Sequence, residues 1–162
     1  MTGYTRLQIG LHWLVMALVV AQYLLHEPIA QAFDLRMSGQ TVSQTPLIAL
    51  HVFGGFLIFV LSLVRLQLRQ TYAPPPPPHG EPAVFRHVAI WSHRAFYACL
   101  VVLPVTGAVA WFRGIPAAGD AHEVLQGVLL ALIALHLGGV AMHQLVWKTD
   151  ILTRMTRAGM DR

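Results

Sequence analysis

The residues of this chain best suited to chemistry are its nine histidines, and three of them share one apolar stretch, HEVLQGVLLALIALHLGGVAMHQLVW, from His122 to Trp147. After Glu123 that stretch has no charged residue. On a helix turning about 100° and rising ~1.5 Å per residue, His136 comes back to within about 40° of the face of His122 and lies about 21 Å further along. His143 keeps to that face, about 10 Å beyond. Neutral imidazole is a good ligand for haem iron, and two facing helices can each supply one axial ligand. The competing account has all three imidazoles hydrogen-bonded to neighbouring helices or reaching to an interface. Ionisable groups at membrane depth are expensive and usually functional, which favours ligation.

The helix that would carry these histidines belongs to a chain of 162 residues, 56% hydrophobic and 11% charged, a balance unlike that of soluble domains. It reads as a membrane protein partnered by the lipid bilayer. The absence of any long charge run argues against a nucleic-acid-binding tail. The formal charge of +4 suits loops facing an anionic leaflet better than it suits an anionic substrate. Cys99 is the single cysteine, so the chain has no internal disulfide and no cysteine cluster for iron–sulfur or structural zinc. Any metal must be held by histidine. The apolar run from Leu7 to Leu25 follows Arg6 as in a signal peptide, but it is too long and no small-residue cleavage site follows it, so a retained anchor is expected.

Four runs are long enough to span a hydrocarbon core of ~30 Å, which takes about twenty helical residues. The expectation is therefore an all-α, integral membrane four-helix bundle. Its helices fall at about 7–25, 46–68, 88–112 and 122–147, and residues 1–162 form one transmembrane domain. Breakers fill the connectors HEPIAQAFDLRMSGQTVSQ, RQTYAPPPPPHGEP and RGIPAAGD. Pro74 to Pro78 predict a stiff polyproline II spacer. With both termini in the cytoplasm, nine of the eleven Lys and Arg residues collect on that side, and only Arg36 and Arg113 stay outside. Trp13, Trp91, Trp111 and Trp147 lie near span ends, as an aromatic belt requires.

That topology sets His12, in GLHW, toward the cytoplasm and His51, in LHVFGG, toward the periplasm. His122 is then the periplasmic histidine of the last helix and His136 the deeper one. Two cross-helix pairs follow, His51 with His122 and His12 with His136. Each would clamp one haem b non-covalently, since no CxxCH motif is present. Measured from run centres, His12 and His51 differ in depth by roughly 13 Å, against about 21 Å for His122 and His136. Using His136 with His143 instead leaves about 10 Å, at which two porphyrins on one face would overlap. An early start of the last helix, with Pro116 in its first turn, is the other way to reconcile the depths.

Gly54 and Gly55 after His51, and Gly138 and Gly139 after His136, would let a flat macrocycle or another helix come close. Pro104 and Gly107 should kink the third helix, with Thr106 satisfying a freed carbonyl. His93 and His143 come near the cytoplasmic face without being needed as ligands. Together they suit hydrogen bonds to a quinone carbonyl and delivery of protons; singly, each equally suits an interfacial anchor. Arg65 is expected to snorkel to lipid phosphate or to pair with a haem propionate. His26, His79 and His87 lie in or beside loops and receive no role. No catalytic residue is singled out.

The segments YTRLQIGLHWLV, LHVFGGFLIFVLSLVRLQLR, SHRAFYACLVVLPVTG and HEVLQGVLLALIALHLGGVAMHQLVWKTDILTRM together resemble the bacterial cytochrome b561 family, over nearly the whole chain. The resemblance implies a di-haem protein of the bacterial inner membrane. His12 and His136 would ligate the cytoplasmic haem b, and His51 and His122 the periplasmic one. Similarity to the superoxide oxidases of that family further implies an oxidoreductase that takes single electrons from superoxide at the periplasmic face and delivers them to ubiquinone. The outer loop RGIPAAGD is shorter here than in those proteins. Glu27, Asp34, Asp120 and Glu123 also offset Arg36 and Arg113 outside, whereas an anion is drawn by positive potential. A second class therefore stays open, a cytochrome b subunit relaying electrons from a dehydrogenase or hydrogenase partner. A third is a non-redox membrane scaffold.

Overall fold

A computed structural model describes residues 3–72, 74–78 and 81–159, so His79 lies outside the described residues. Among the described residues every regular element is a helix. Four are long and apolar enough to cross a membrane: α1 (Arg6–Leu24), α3 (Pro46–Thr71), α4 (Ala83–Arg113) and α5 (Pro116–Leu145). Even the 19 residues of α1 reach about 28 Å at ~1.5 Å per residue.

Local chemistry explains where these helices begin and end. Thr5 and Gln8 form a capping box ahead of α1: the Thr5 hydroxyl accepts from the Gln8 amide at 3.2 Å, and the Gln8 side chain accepts from the Thr5 amide at 3.0 Å. Thr45 caps α3 ahead of Pro46, and α4 stops at Gly114, whose φ of 62° is left-handed. Pro116 occupies the first turn of α5. Because α5 starts there, His122 lies well inside the helix instead of at its first residue. That early start lengthens the last helix toward the end opposite the chain termini.

Helix α2 (His26–Met37) occupies a stretch where the sequence places only a connector rich in breakers. Its residues make it helical without making it a span. Glu27 in the first turn and Arg36 in the last suit the helix dipole. Ile29, Ala32 and Phe33 form an apolar stripe. The stripe packs with Ile48, Val52 and Trp111 into a small core, and Arg36 donates to the Trp111 carbonyl while its guanidinium lies 5.7 Å from the Trp111 ring centre. α2 thereby caps the bundle at one end.

The opposite end is closed by the connector between α3 and α4 and by the chain that follows α5. Trp13 donates its indole N–H to the Met155 carbonyl at 2.7 Å, and Arg154 donates to the Pro76 carbonyl at 2.8 Å. The short α6 (Ile151–Arg154) carries the Asp150–Arg154 ion pair at 3.0 Å, whose hydrogen bond holds the Asp150 carboxyl below its ordinary range. Between the two ends, α1 packs on α3, α3 on α4 and α4 on α5. Val15, Val19, Ile58, Cys99, Leu100 and Leu129 fill the waist. Lipid tails are as apolar as these side chains, so close packing and not water exclusion joins the helices. Large apolar residues such as Phe53 and Phe56 point outward, as a lipid-facing surface requires.

Candidate functional site

Histidines gather at both ends of the bundle. At the end bearing the chain termini, α1 and α5 bring His12 and His136 together, ring centres 6.4 Å apart and planes tilted by 55°. Two imidazoles bound across one metal, each nitrogen about 2.0–2.1 Å from it, would have ring centres ~6 Å apart. The observed spacing fits such a pair. From α4, His93 and Phe96 meet His136 edge-on at 5.6 and 5.7 Å. The His93 ring is itself anchored, its Nδ1 donating to the Ala89 carbonyl at 2.6 Å.

Arg65 reaches this cluster from α3, its Nη2 lying 3.0 Å from His12 Nδ1. A guanidinium only donates, so Nδ1 must accept. In a neutral ring the proton then sits on Nε2. A metal can take that nitrogen only once Arg65 leaves Nδ1 or Nε2 loses its proton. Arg65 and Arg69 also each lie 5.9 Å from the ring centre of Tyr97, which concentrates positive charge beside the pair.

At the α2 end, His51 from α3 and His122 from α5 line one narrow cavity of about 70 Å³, shared with Tyr23, Gly55 and Gln126. His122 donates from Nδ1 to the Leu103 carbonyl at 2.9 Å, with the Thr106 hydroxyl 3.3 Å from the same nitrogen. That bond fixes the tautomer and leaves Nε2 with its lone pair, the usual way a protein prepares a ligating imidazole. Thr106 donates to the Leu103 carbonyl at 2.8 Å, whereas Pro104 removes the partner of the Leu100 carbonyl. His51 Nδ1 is buried and has no hydrogen-bond partner among the described residues. Its bonding is incomplete in the protein alone.

The glycines divide by what faces them. Gly55 lines the cavity at the α2 end with open space where a Cβ would be. Gly54 abuts the Gln22 side chain, and Gly107 abuts the ring of His122. Gly138 and Gly139 face nothing within 4 Å.

The structure brings His93 into the cluster with His136 but does not bring His143 to it. His143 contacts Thr149, Trp147 and Glu81. His87 bonds to the Ala83 carbonyl of its own helix. Several residues around the sites were not singled out from sequence. His26 and Gln126 lie 3.4 Å apart on the wall of the cavity, which Gln22 also lines, and Tyr23 donates to the Gln126 carbonyl at 2.7 Å. The available signal was polarity: Gln22 and Gln126 interrupt apolar runs, and His26 follows Gln22 by one helical turn. Glu81 and Thr149 carry no comparable signal.

Among the described residues, no three His, Cys, Asp or Glu side chains converge on a bare metal ion. Paired imidazoles suit a haem, whose porphyrin supplies the remaining ligands. The family model described as prokaryotic cytochrome b561 matches residues 3–158. The chain is 31% identical to cytochrome b562 of Cereibacter sphaeroides, over 96% of each protein. It is 28% identical to the probable superoxide oxidase CybB of Yersinia pestis, over 94% of each. Cytochrome b561 homolog 1 of Escherichia coli K12 is 26% identical, over 96% of this chain and 97% of the homolog.

Proposed function

The chain belongs to the prokaryotic cytochrome b561 family, and on that footing we propose that it carries single electrons across the membrane through two b-type haems, from superoxide outside to ubiquinone at the inner side. Family membership makes it a multi-pass bacterial inner-membrane protein of haem-dependent electron transfer. The finer assignments are ours. His12 and His136 would hold the cytoplasmic haem, and His51 and His122 the periplasmic one. The observation that carries this is the presence of two imidazole pairs at opposite ends of one bundle, one 6.4 Å across and the other lining a common cavity.

Bound haem would supply a one-electron carrier whose potential follows its axial ligands and surroundings. The protein's own groups have defined tasks. Leu103 aims His122 through Nδ1. Arg65, now 3.0 Å from His12 Nδ1, would pair with a haem propionate once haem is bound, which would free the ring to ligate. At the quinone end, His93 would hydrogen-bond a quinone carbonyl and His143 would supply protons.

Superoxide as donor is supported by the name of one relative. A relay that receives electrons from a protein partner is the second reading, and charge favours it. Arg36, which donates to the neutral Trp111 carbonyl and keeps its charge, and Arg113 stand against Glu27, Asp34, Asp120 and Glu123 at that end, two cations against four carboxylates.

Anaerobic mixing of the purified protein with a superoxide pulse tests the choice. Rapid haem reduction, reversed when ubiquinone is added, supports the oxidase. Reduction only in the presence of a dehydrogenase partner supports the relay. No b-type absorbance change under any reductant ends both and leaves the scaffold. His51→Ala and His122→Ala should remove one and the same haem, His12→Ala and His136→Ala the other; loss in mixed pairs would overturn the pairing.

A further inference from the structure

We propose that Glu81 supplies protons to the quinone site through His143, as one end of a Glu81–His143–Thr149 relay. This rests on the reading above that quinone is reduced at the cytoplasmic end. His143 Nε2 lies 3.5 Å from Glu81 Oε1, and these side chains are 10% and 7% exposed. On the other side, His143 Nδ1 lies 3.0 Å from the Thr149 hydroxyl. The Thr149 amide donates to the His143 carbonyl at 2.9 Å, fixing that hydroxyl against the ring. Trp147 packs edge-on at 4.6 Å and holds the ring plane.

A nearly buried carboxylate normally needs a cation or a full set of hydrogen bonds. Among the described residues the only charge partner of Glu81 is this imidazole. Both ring nitrogens therefore face a group that exchanges protons, a carboxylate on one side and a hydroxyl on the other. A pair serving only to tie the connector before α4 to the end of α5 would not need an ionisable side chain, because an amide makes the same hydrogen bond.

Quinone reduction to quinol consumes two electrons, delivered singly from the cytoplasmic haem, and two protons. The first proton leaves His143 Nδ1 through the Thr149 hydroxyl to a quinone oxygen as a proton from the Glu81 carboxyl arrives on Nε2, which leaves the ring as its Nε2–H tautomer. Proton exchange with water at the membrane surface returns the ring to the Nδ1–H tautomer and reprotonates Glu81, and the second proton follows by the same steps. Glu81 never touches the quinone; it acts through His143.

The test uses full-length, haem-loaded protein, reduced anaerobically and mixed with a short-chain ubiquinone. In Glu81→Gln the haem content and spectrum should stay as in wild type while haem reoxidation slows by about a hundredfold or more, from the lower end of the usual range for loss of acid–base assistance upward. Formate or azide, as small weak acids, should restore the rate, and Glu81→Asp should retain most of it. A carboxyl C=O band in the redox infrared difference spectrum should vanish in Glu81→Gln. If Glu81→Gln loses its haem, Thr149→Val decides by the same rate comparison. A wild-type rate in Glu81→Gln, or slowing that weak acids do not relieve, overturns the relay. Failure of wild-type haem to be reoxidised by quinone instead overturns the reading on which the relay rests.

Discussion

A Cβ at Gly107 would lie 2.8 Å from His122 Cε1 and 3.1 Å from Nδ1, and the ring cannot retreat without leaving the Leu103 carbonyl. Alanine is favoured over glycine by about 1 kcal/mol in a helix, but overpacking costs about 1–3 kcal/mol. The clash should win, and it falls on a proposed ligand. Gly107→Ala is expected to lose the haem of the α2 end and keep the other, read as a halving of haem per chain in a pyridine haemochrome assay. Arg65 acts by charge. Replacing it by Gln removes a cation beside the His12–His136 pair, which disfavours the reduced state. A loss of about 1 kcal/mol of charge interaction corresponds to a drop of roughly 40–50 mV in the midpoint potential of that haem. Spectroelectrochemical titration measures it, and an unchanged or raised potential would contradict the placement of Arg65.

At the scale of elements, α2 differs most from expectation. Its twelve residues are too polar to register as a span, and the breakers Pro28 and Gly39 at its margins suggest a loop. The helix was nonetheless present as a period: Ile29, Ala32, Phe33 and Arg36 fall on one face. Reading it required period, where the spans needed only hydropathy. Arg36 joins that face to α4 through the Trp111 carbonyl and ring. A charged donor to a carbonyl contributes about 1.5–3 kcal/mol, and a guanidinium over an indole about 0.5–2 kcal/mol. Arg36→Ala should therefore speed amide hydrogen exchange across residues 26–37 while the middles of α3, α4 and α5 stay protected. Equal acceleration throughout the bundle would mean that α2 does not open independently.

At the scale of the molecule, Trp13, Met155, Pro76 and Arg154 close the end where the described chain begins and finishes, and the excess of Lys and Arg there predicts that this end faces the cytoplasm. A fluorescent protein fused after Arg162 should fluoresce in cells, and alkaline phosphatase fused there should be inactive. The opposite result would invert the molecule and exchange the donor and quinone ends. With the expected orientation, His122 and His51 serve the periplasmic side, and the Glu81–His143 pair lies at the surface from which protons come.

What the sequence determined by itself is the set of four spans and the spacing of the histidines within a helix. Both are local. In lipid every backbone group must be satisfied within its segment, so an apolar run of sufficient length becomes a helix whatever its neighbours. The spacing of His122 and His136 then follows from helix geometry alone. Only the tertiary structure decided which rings meet, because these helices are apolar on every side and carry no stripe that specifies a partner. It set His93 against His136, Arg65 on His12, and His26 and Gln126 on the wall of the cavity at the α2 end. It also turned His143 toward Glu81, a contact across 62 residues (143 minus 81) that no local period encodes. Side-chain direction and helix register arise only from packing, and those are what the proposed chemistry depends on.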